Sequence, residues 1–222
     1  MAINLEGDVD IISFLVGDMM RDFEEEYKRI NAIRLGKGGG WKNYSTIGHI
    51  KSEADKYFAH LINHFKNRPI RYLEIGTLKC GSFVLTGHVL NVVQAVGVDY
   101  GSYRLQKEYD SIQSAQALSP EFQWDIVLGD SHDFKVYSRV VQLCGKFDLI
   151  FIDGDHSYKG VKQDFETYGK LIAPNGLIAF HDIYNDAYEV CKFWNEIKIC
   201  HNCIEFIDKK KKSGDRAGIG II

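Results

Sequence analysis

From Ile70 onward the chain repeats one unit: a short apolar, β-branched run, one or two polar residues, then a helical period. The apolar runs fall at 70–75 (IRYLEI), 92–98 (VVQAVGV), 123–128 (QWDIVL), 147–152 (FDLIFI) and 177–181 (LIAFH). Helical spacing fills the gaps at about 82–90, 102–117, 133–144 and 158–172. Strands separated by helices this long cannot return through hairpins, so they imply a parallel sheet with right-handed crossovers and helices on its faces. Leu149-Ile150-Phe151-Ile152, apolar at every position, suits a strand covered on both sides. The order changes after a helix near 186–198, where 203–208 (CIEFID) and 217–222 (AGIGII) are joined through Lys209–Gly214. That link is too short for a parallel return and demands antiparallel pairing. The expected fold is α/β: a doubly wound, mainly parallel, seven-stranded sheet with an antiparallel last strand, preceded by N-terminal helices.

Two amphipathic helices come first. Residues 8–31 place Ile12, Leu15, Met19, Phe23, Tyr27 and Ile30 at helical spacing. Residues 50–66 do the same with Ile50, Ala54, Phe58, Leu61, Ile62 and Phe65, and stop at Asn67-Arg68-Pro69. Between them, 35–41 (LGKGGGW) is either a linker or a lid with Trp41 and Tyr44 as apolar covers. The chain divides into an extension with this glycine-rich loop, 1–45, and a sheet domain, 46–222. The first helix has more apolar surface than a lone extension hides. It is expected to pack on the domain or on a second copy, in a dimer or larger homo-oligomer.

Composition narrows the partners. A net charge of −3 gives no general attraction for polyanions, so no nucleic-acid partner is expected. No run is long enough to span a membrane, and Met1–Asp10 carries no secretory pattern. Five cysteines form no disulfide-like framework, which suits a reducing cytoplasm. Cys200-His201-Asn202-Cys203 has the look of half a zinc site, but no second pair accompanies it, and structural cysteines are expected.

The chemistry collects at strand ends, where open parallel sheets bind ligands. In LEIGTLKCGSF, Glu74 and Gly76 end one strand and Gly81-Ser82 open a helix. Glycine permits close backbone approach, and a helix N-terminus offers N–H groups to an anion. This is not the G-x-G-x-x-G dinucleotide pattern. Asp99 ends the next strand with Tyr100 beside it, an acid for ribose hydroxyls and a ring for a purine face. Asp130-Ser131 ends the third, placed to accept from an exocyclic amine. Any one of these acids could merely cap a helix. Three in succession along one edge point to a nucleoside ligand.

The order Glu-x-Gly…Gly-Ser, Asp99, Asp130 and the Asp153 strand resembles a class I S-adenosylmethionine-dependent methyltransferase, from about Tyr44 to the C-terminus. More narrowly, IDGDHSYKGVKQDF…LIAPNGLIAFHD resembles the group containing macrocin O-methyltransferase and the cephalosporin hydroxylase protein. The resemblance implies that Glu74, Gly76, Thr77, Gly81 and Ser82 surround the methionine part of S-adenosylmethionine. It implies Asp99 at the ribose, Tyr100, Asp130 and Ser131 around adenine, and Asp153 bordering the cofactor. It also implies a divalent metal, and the residues make physical sense of one. Asp153 and Asp182 end neighbouring strands and can converge on a cation, a hard oxygen set that suits Mg²⁺. His181 departs from the group's pattern; as a ligand it shifts preference toward Mn²⁺, Fe²⁺ or Zn²⁺. Read plainly, Asp182 caps a loop and His181 ends a strand. His156 occupies the position of the general base.

The expected activity is O-methylation of a small hydroxylated acceptor, of sugar or natural-product type. One alternative is a cofactor-binding protein of the same fold without turnover. Another is a metal-dependent hydroxylase or hydrolase, which lacks support from any G-x-S-x-G elbow or His-x-Asp…His triad.

Overall fold

The computed structural model describes residues 23–30, 51–101, 112, 115–116, 122–210 and 217–222. Outside them lie the first part of the 8–31 helix, the 35–41 loop with Trp41 and Tyr44, most of the 102–117 helix, and Lys211–Gly214.

Helix α1 covers residues 23–30 and α2 Lys51–Phe65. Then follow β1 (Ile70–Ile75), α3 (Gly81–Val89), β2 (Val92–Asp99), β3 (Gln123–Leu128) and α4 (Phe134–Leu143). The chain continues with β4 (Phe147–Ile152), α5 (Tyr158–Tyr168), β5 (Ile172–His181), α6 (Val190–Ile197), β6 (Ile204–Phe206) and β7 (Ile219–Ile221). One seven-stranded sheet runs in the order β3-β2-β1-β4-β5-β7-β6. The pairs β3-β2, β2-β1, β1-β4 and β4-β5 are parallel, and β7 is antiparallel to both neighbours. The chain winds outward from β1 to β3 and then resumes at β4 on the other side of β1. That reversal opens a crevice between β1 and β4 at the carboxyl edge.

All six β4 residues are buried. Leu149 and Phe151 enter one core with Tyr57, Phe58 and Phe83, while Ile150 and Ile152 enter the other with Phe180 and Trp194. Each such side chain contributes about 1.5–3 kcal/mol of burial free energy. Helix α1 docks on the domain through Phe23, whose ring centroid lies 5.0 Å from that of Phe58. Glu53 of α2, fully buried, accepts from the backbone N–H groups of Asp208 and Gly218, both at 2.9 Å. It thereby ties α2 to both arms of the terminal hairpin.

One boundary differs from expectation. The helical pattern read through residue 172 ends at Tyr168, and β5 begins at Ile172 rather than 177. Pro174 explains it: proline has no N–H for the helix ladder, its ring clashes with the carbonyl four residues earlier, and it pushes Ala173 to extended backbone. Cys200 is exposed and His201 Nδ1 lies 2.8 Å from the Ile197 carbonyl oxygen. Among the described residues this segment joins no metal-ligand cluster. No described helix is long and apolar enough to cross a membrane.

Candidate active site

Sheet register builds the site. Ile75 pairs with Val98 on one side and Ile152 on the other, so Gly76, Asp99 and Asp153 emerge abreast. Phe180 pairs with Ile152, which sets His181 beside Asp153. Gly76 has φ +88°, and a Cβ there would lie 2.1 Å from the Asp153 carbonyl oxygen. No side chain fits, and the first strand end presents bare backbone to the crevice.

Asp99 organises the loops on either side of this edge. One carboxylate oxygen accepts the Leu78 N–H at 2.6 Å and faces Thr77 Oγ1 at 3.5 Å; the other accepts the Gly101 N–H at 2.8 Å. Tyr100 is 62% exposed. Asp130 accepts the His132 N–H at 2.9 Å, and the Ser131 carbonyl accepts the Tyr168 hydroxyl at 2.8 Å.

Glu74 turns the other way. It is fully buried, accepts Ser82 Oγ–H at 2.6 Å and bonds the Tyr72 hydroxyl, so it braces the N-terminus of α3 from inside the domain. Burial pushes its carboxyl up to about 8, outweighing those two hydrogen bonds. The folded state therefore holds a proton that the unfolded chain releases near the ordinary carboxyl value. The stability Glu74 contributes is fully present below that value and is lost as pH rises through about 8. Glu74→Gln keeps a neutral hydrogen-bonding head and removes this slope. The variant should gain on wild type by roughly 3 kcal/mol between pH 5 and pH 8, read from urea midpoints at both pH values. Parallel curves would mean that Glu74 is ionised in the folded protein.

The fourth and fifth strand ends make the charged centre. Asp153 Oδ1 lies 3.2 Å from His156 Nε2 and 3.2 Å from His181 Nδ1. Asp182 Oδ2 lies 3.4 Å from His156 Nε2 and 3.5 Å from His181 Nδ1. Asp182 reaches inward from left-handed backbone, φ +57°, and its other oxygen accepts Asn185 Nδ2–H at 3.0 Å. Ser157 caps α5, accepting the Gly160 N–H at 3.0 Å, which fixes the turn that carries His156. The Tyr188 ring stacks on His156 with centroids 4.2 Å apart and planes 22° apart, while the Glu189 N–H donates to the His156 carbonyl at 3.0 Å.

Burial on its own would raise the Asp153 pKa, yet the charges and hydrogen bonds of His181 and His156 prevail and hold it well below the usual carboxylate range. For both histidines burial pulls down, but Asp153 and Asp182 outweigh it and raise them, His181 well above the ordinary imidazole value. The cluster thus sets two carboxylates against two imidazoles whose protonated forms they favour. Ligand atoms of Asp153, His181 and Asp182 lie within 4.8 Å of one another. Opposite ligands around a small divalent cation stand roughly 4–4.5 Å apart, so slight closure would seat one. Two carboxylates and an imidazole fit Mg²⁺ or Mn²⁺.

The residues expected at the edge thus fall into two groups. Gly76, Thr77, Asp99 and Asp130 lie along the β1–β2–β3 part of the edge, and Asp153, His156, His181 and Asp182 converge beside them. Ser82, with Gly81, begins α3. Tyr188 was not legible in the sequence, where nothing distinguishes it from other residues after Asp182. Tyr72 was: it lies two residues before Glu74, hence on the same strand face.

A family model for a methyltransferase domain matches residues 73–183, from β1 to the residue after Asp182. The chain belongs to this methyltransferase family. Its fold is the class I, S-adenosylmethionine-dependent type. A protein described as a caffeoyl-CoA O-methyltransferase from Staphylococcus aureus superposes with a TM-score of 0.57 at 17% identity, covering 95% of this methyltransferase and 97% of that chain. MycE methyltransferase of the mycinamycin pathway, in complex with Mg and SAH, gives a TM-score of 0.50 at 19% identity, over 73% of this chain and 36% of MycE. An uncharacterised protein of Acanthamoeba polyphaga mimivirus is 29% identical over 127 residues, 57% of each chain. This methyltransferase therefore spans little more than half of that relative and about a third of MycE.

Proposed function

We propose that this methyltransferase transfers a methyl group from S-adenosylmethionine to a hydroxyl of a small acceptor, with a divalent cation assisting. The observation that carries this is the convergence of Asp153, His156, His181 and Asp182 beside the Gly76–Asp99 edge. The O-methyltransferase and Mg-containing descriptions of two structural neighbours agree with it. Asp99 would take the ribose hydroxyls, Gly76 and Thr77 would face the methionine part, and Tyr100, Asp130 and Ser131 would border adenine. Asp153, Asp182 and His181 would hold the cation, which when bound lowers the pKa of an acceptor hydroxyl. His156 then takes the hydroxyl proton on its imidazole, which the Asp153 and Asp182 carboxylates orient through Nε2. Tyr188 keeps that ring in plane, and the tethered 182–189 segment limits where an acceptor oxygen can lie.

Calorimetry tests the cofactor half. S-adenosylmethionine or S-adenosylhomocysteine should bind without added metal, and Asp99→Ala should weaken binding by about 1.5–3 kcal/mol, the range for hydrogen bonds to a charged group. Binding of NAD in preference to either sulfur nucleoside would reject the assignment. An acceptor library read by S-adenosylhomocysteine release tests the other half.

A further inference from the structure

A second Asp–His pair lies behind the active edge and takes no part in the reaction outlined above. Asp164, on α5, is fully buried, and the groups that offset its burial come from the loop after β3: the Ser131 hydroxyl and the His132 imidazole. A carboxylate removed from water without partners is costly, so its surroundings must repay it. His132 Nε2 stands 3.3 Å from Asp164 Oδ1 and 3.2 Å from the Gly160 carbonyl oxygen, while its Nδ1 stands 3.5 Å from Asp130. The imidazole comes from the loop after β3; Gly160 and Asp164 belong to the helix that follows the β4 loop. A Cβ on Gly154 would lie 3.2 Å from Asp164 Oδ2 and 3.1 Å from Ile75, so Asp164 backs directly onto the turn between Asp153 and His156. Burial pushes the Asp164 carboxyl up to about 6 against the opposing pull of Ser131 and His132, with Asp155 and Asp130 adding to the rise. The carboxylate oxygens and ring nitrogens gathered here form no metal-ligand cluster among the described residues: His132 divides its two nitrogens between different carboxylates.

We propose that His132 and Asp164 are positioning residues that latch the adenosine-side loop after β3 to the His156-bearing loop after β4. The inference rests on the functional reading above, in which the first loop meets the cofactor and the second carries the base. Cofactor seated against Asp130 and Ser131 holds the His132 backbone; His132 holds Gly160 and Asp164; Asp164 and Gly160 hold the turn before α5. Binding energy spent at adenosine thereby fixes the base.

Hydrogen exchange of the full chain decides it. His132→Ala, Asp164→Asn and the double variant are compared with wild type at amides 154–160, with α6 as an internal control. Each single change should speed exchange at 154–160 by about 10-fold or more while α6 is unmoved, and the double change should add little, because both break one link. S-adenosylhomocysteine should slow exchange at 154–160 in wild type and in His132→Gln, which keeps an N–H for Gly160. It should no longer do so in His132→Ala even though it still binds. Additive effects of the two changes, or undiminished protection in His132→Ala, would overturn the latch. A wild type that binds no S-adenosylhomocysteine would instead remove the cofactor reading, and the additivity measured without ligand would still decide whether the latch exists.

Discussion

His156→Ala should slow methyl transfer by roughly 10²–10⁴-fold at neutral pH, the usual worth of a positioned general base. An acceptor hydroxyl is almost wholly protonated at pH 7 and cannot displace a sulfonium methyl until its proton leaves. The Asp153 and Asp182 carboxylates orient the His156 ring through its Nε2. Those carboxylates raise its pKa against the contrary effect of burial, so the neutral, proton-accepting form dominates only above the ordinary imidazole value. The wild-type rate should therefore climb with pH as His156 loses its proton. In His156→Ala this climb should vanish, leaving only the acceptor's own titration, and the gap to wild type should narrow at high pH. Initial rates of S-adenosylhomocysteine release from pH 6 to 10 provide the measurement, with any acceptor that wild type methylates. Cofactor affinity in the variant should stay near wild type, since His156 contributes nothing to the Gly76–Asp99 edge. An undiminished rate in His156→Ala would leave positioning alone as the mechanism.

Strand ends were legible because the period-2 and apolar-run signals stop abruptly at charged residues, and register then forces those residues abreast. Asp99, Asp153 and Asp182 needed no tertiary information beyond strand order. Glu74 is different. The sequence places it at a strand end, but whether a strand residue faces the crevice or the interior depends on strand parity, and Tyr72 and Ser82 draw it inward. The end of α5 was misread because helical periodicity continues through Ile172 and outweighed Pro174. Asp164 does leave a trace in the sequence: it lies between Val161 and Tyr168 on the buried face of a helix, where an acid needs a reason. Glu53 had the same kind of signal on α2, but its partners, Asp208 and Gly218, are more than 150 positions away in the chain. Such long-range backbone donors have no local trace.

Chelation should abolish turnover while leaving S-adenosylhomocysteine affinity largely intact, and Mg²⁺ or Mn²⁺ should restore it. The separation follows from geometry: the proposed ligands Asp153, His181 and Asp182 sit at the carboxyl ends of β4 and β5, whereas Asp99 and Thr77 sit across the crevice on β2 and after β1. Against the downward effect of burial, the Asp153 carboxylate raises both imidazoles above their ordinary value. A cation bound by those carboxylates must displace the His181 proton to use its ring nitrogen, and it weakens the attraction that keeps His156 protonated. Metal affinity should accordingly rise with pH below the raised imidazole values, by about tenfold per pH unit for each proton released, and level off above them. Calorimetric titration with Mn²⁺ in two buffers of different ionisation enthalpy counts those protons directly. His181→Asn, which keeps a polar head but loses the imidazole, should lower Mn²⁺ affinity more than Mg²⁺ affinity, because nitrogen ligands favour the softer ion. Full turnover in EDTA would remove the cation from the reaction and return the four residues to a closed ion-pair network. A proton count of zero on Mn²⁺ binding would place the cation on the carboxylates alone, with His181 left as their counter-ion.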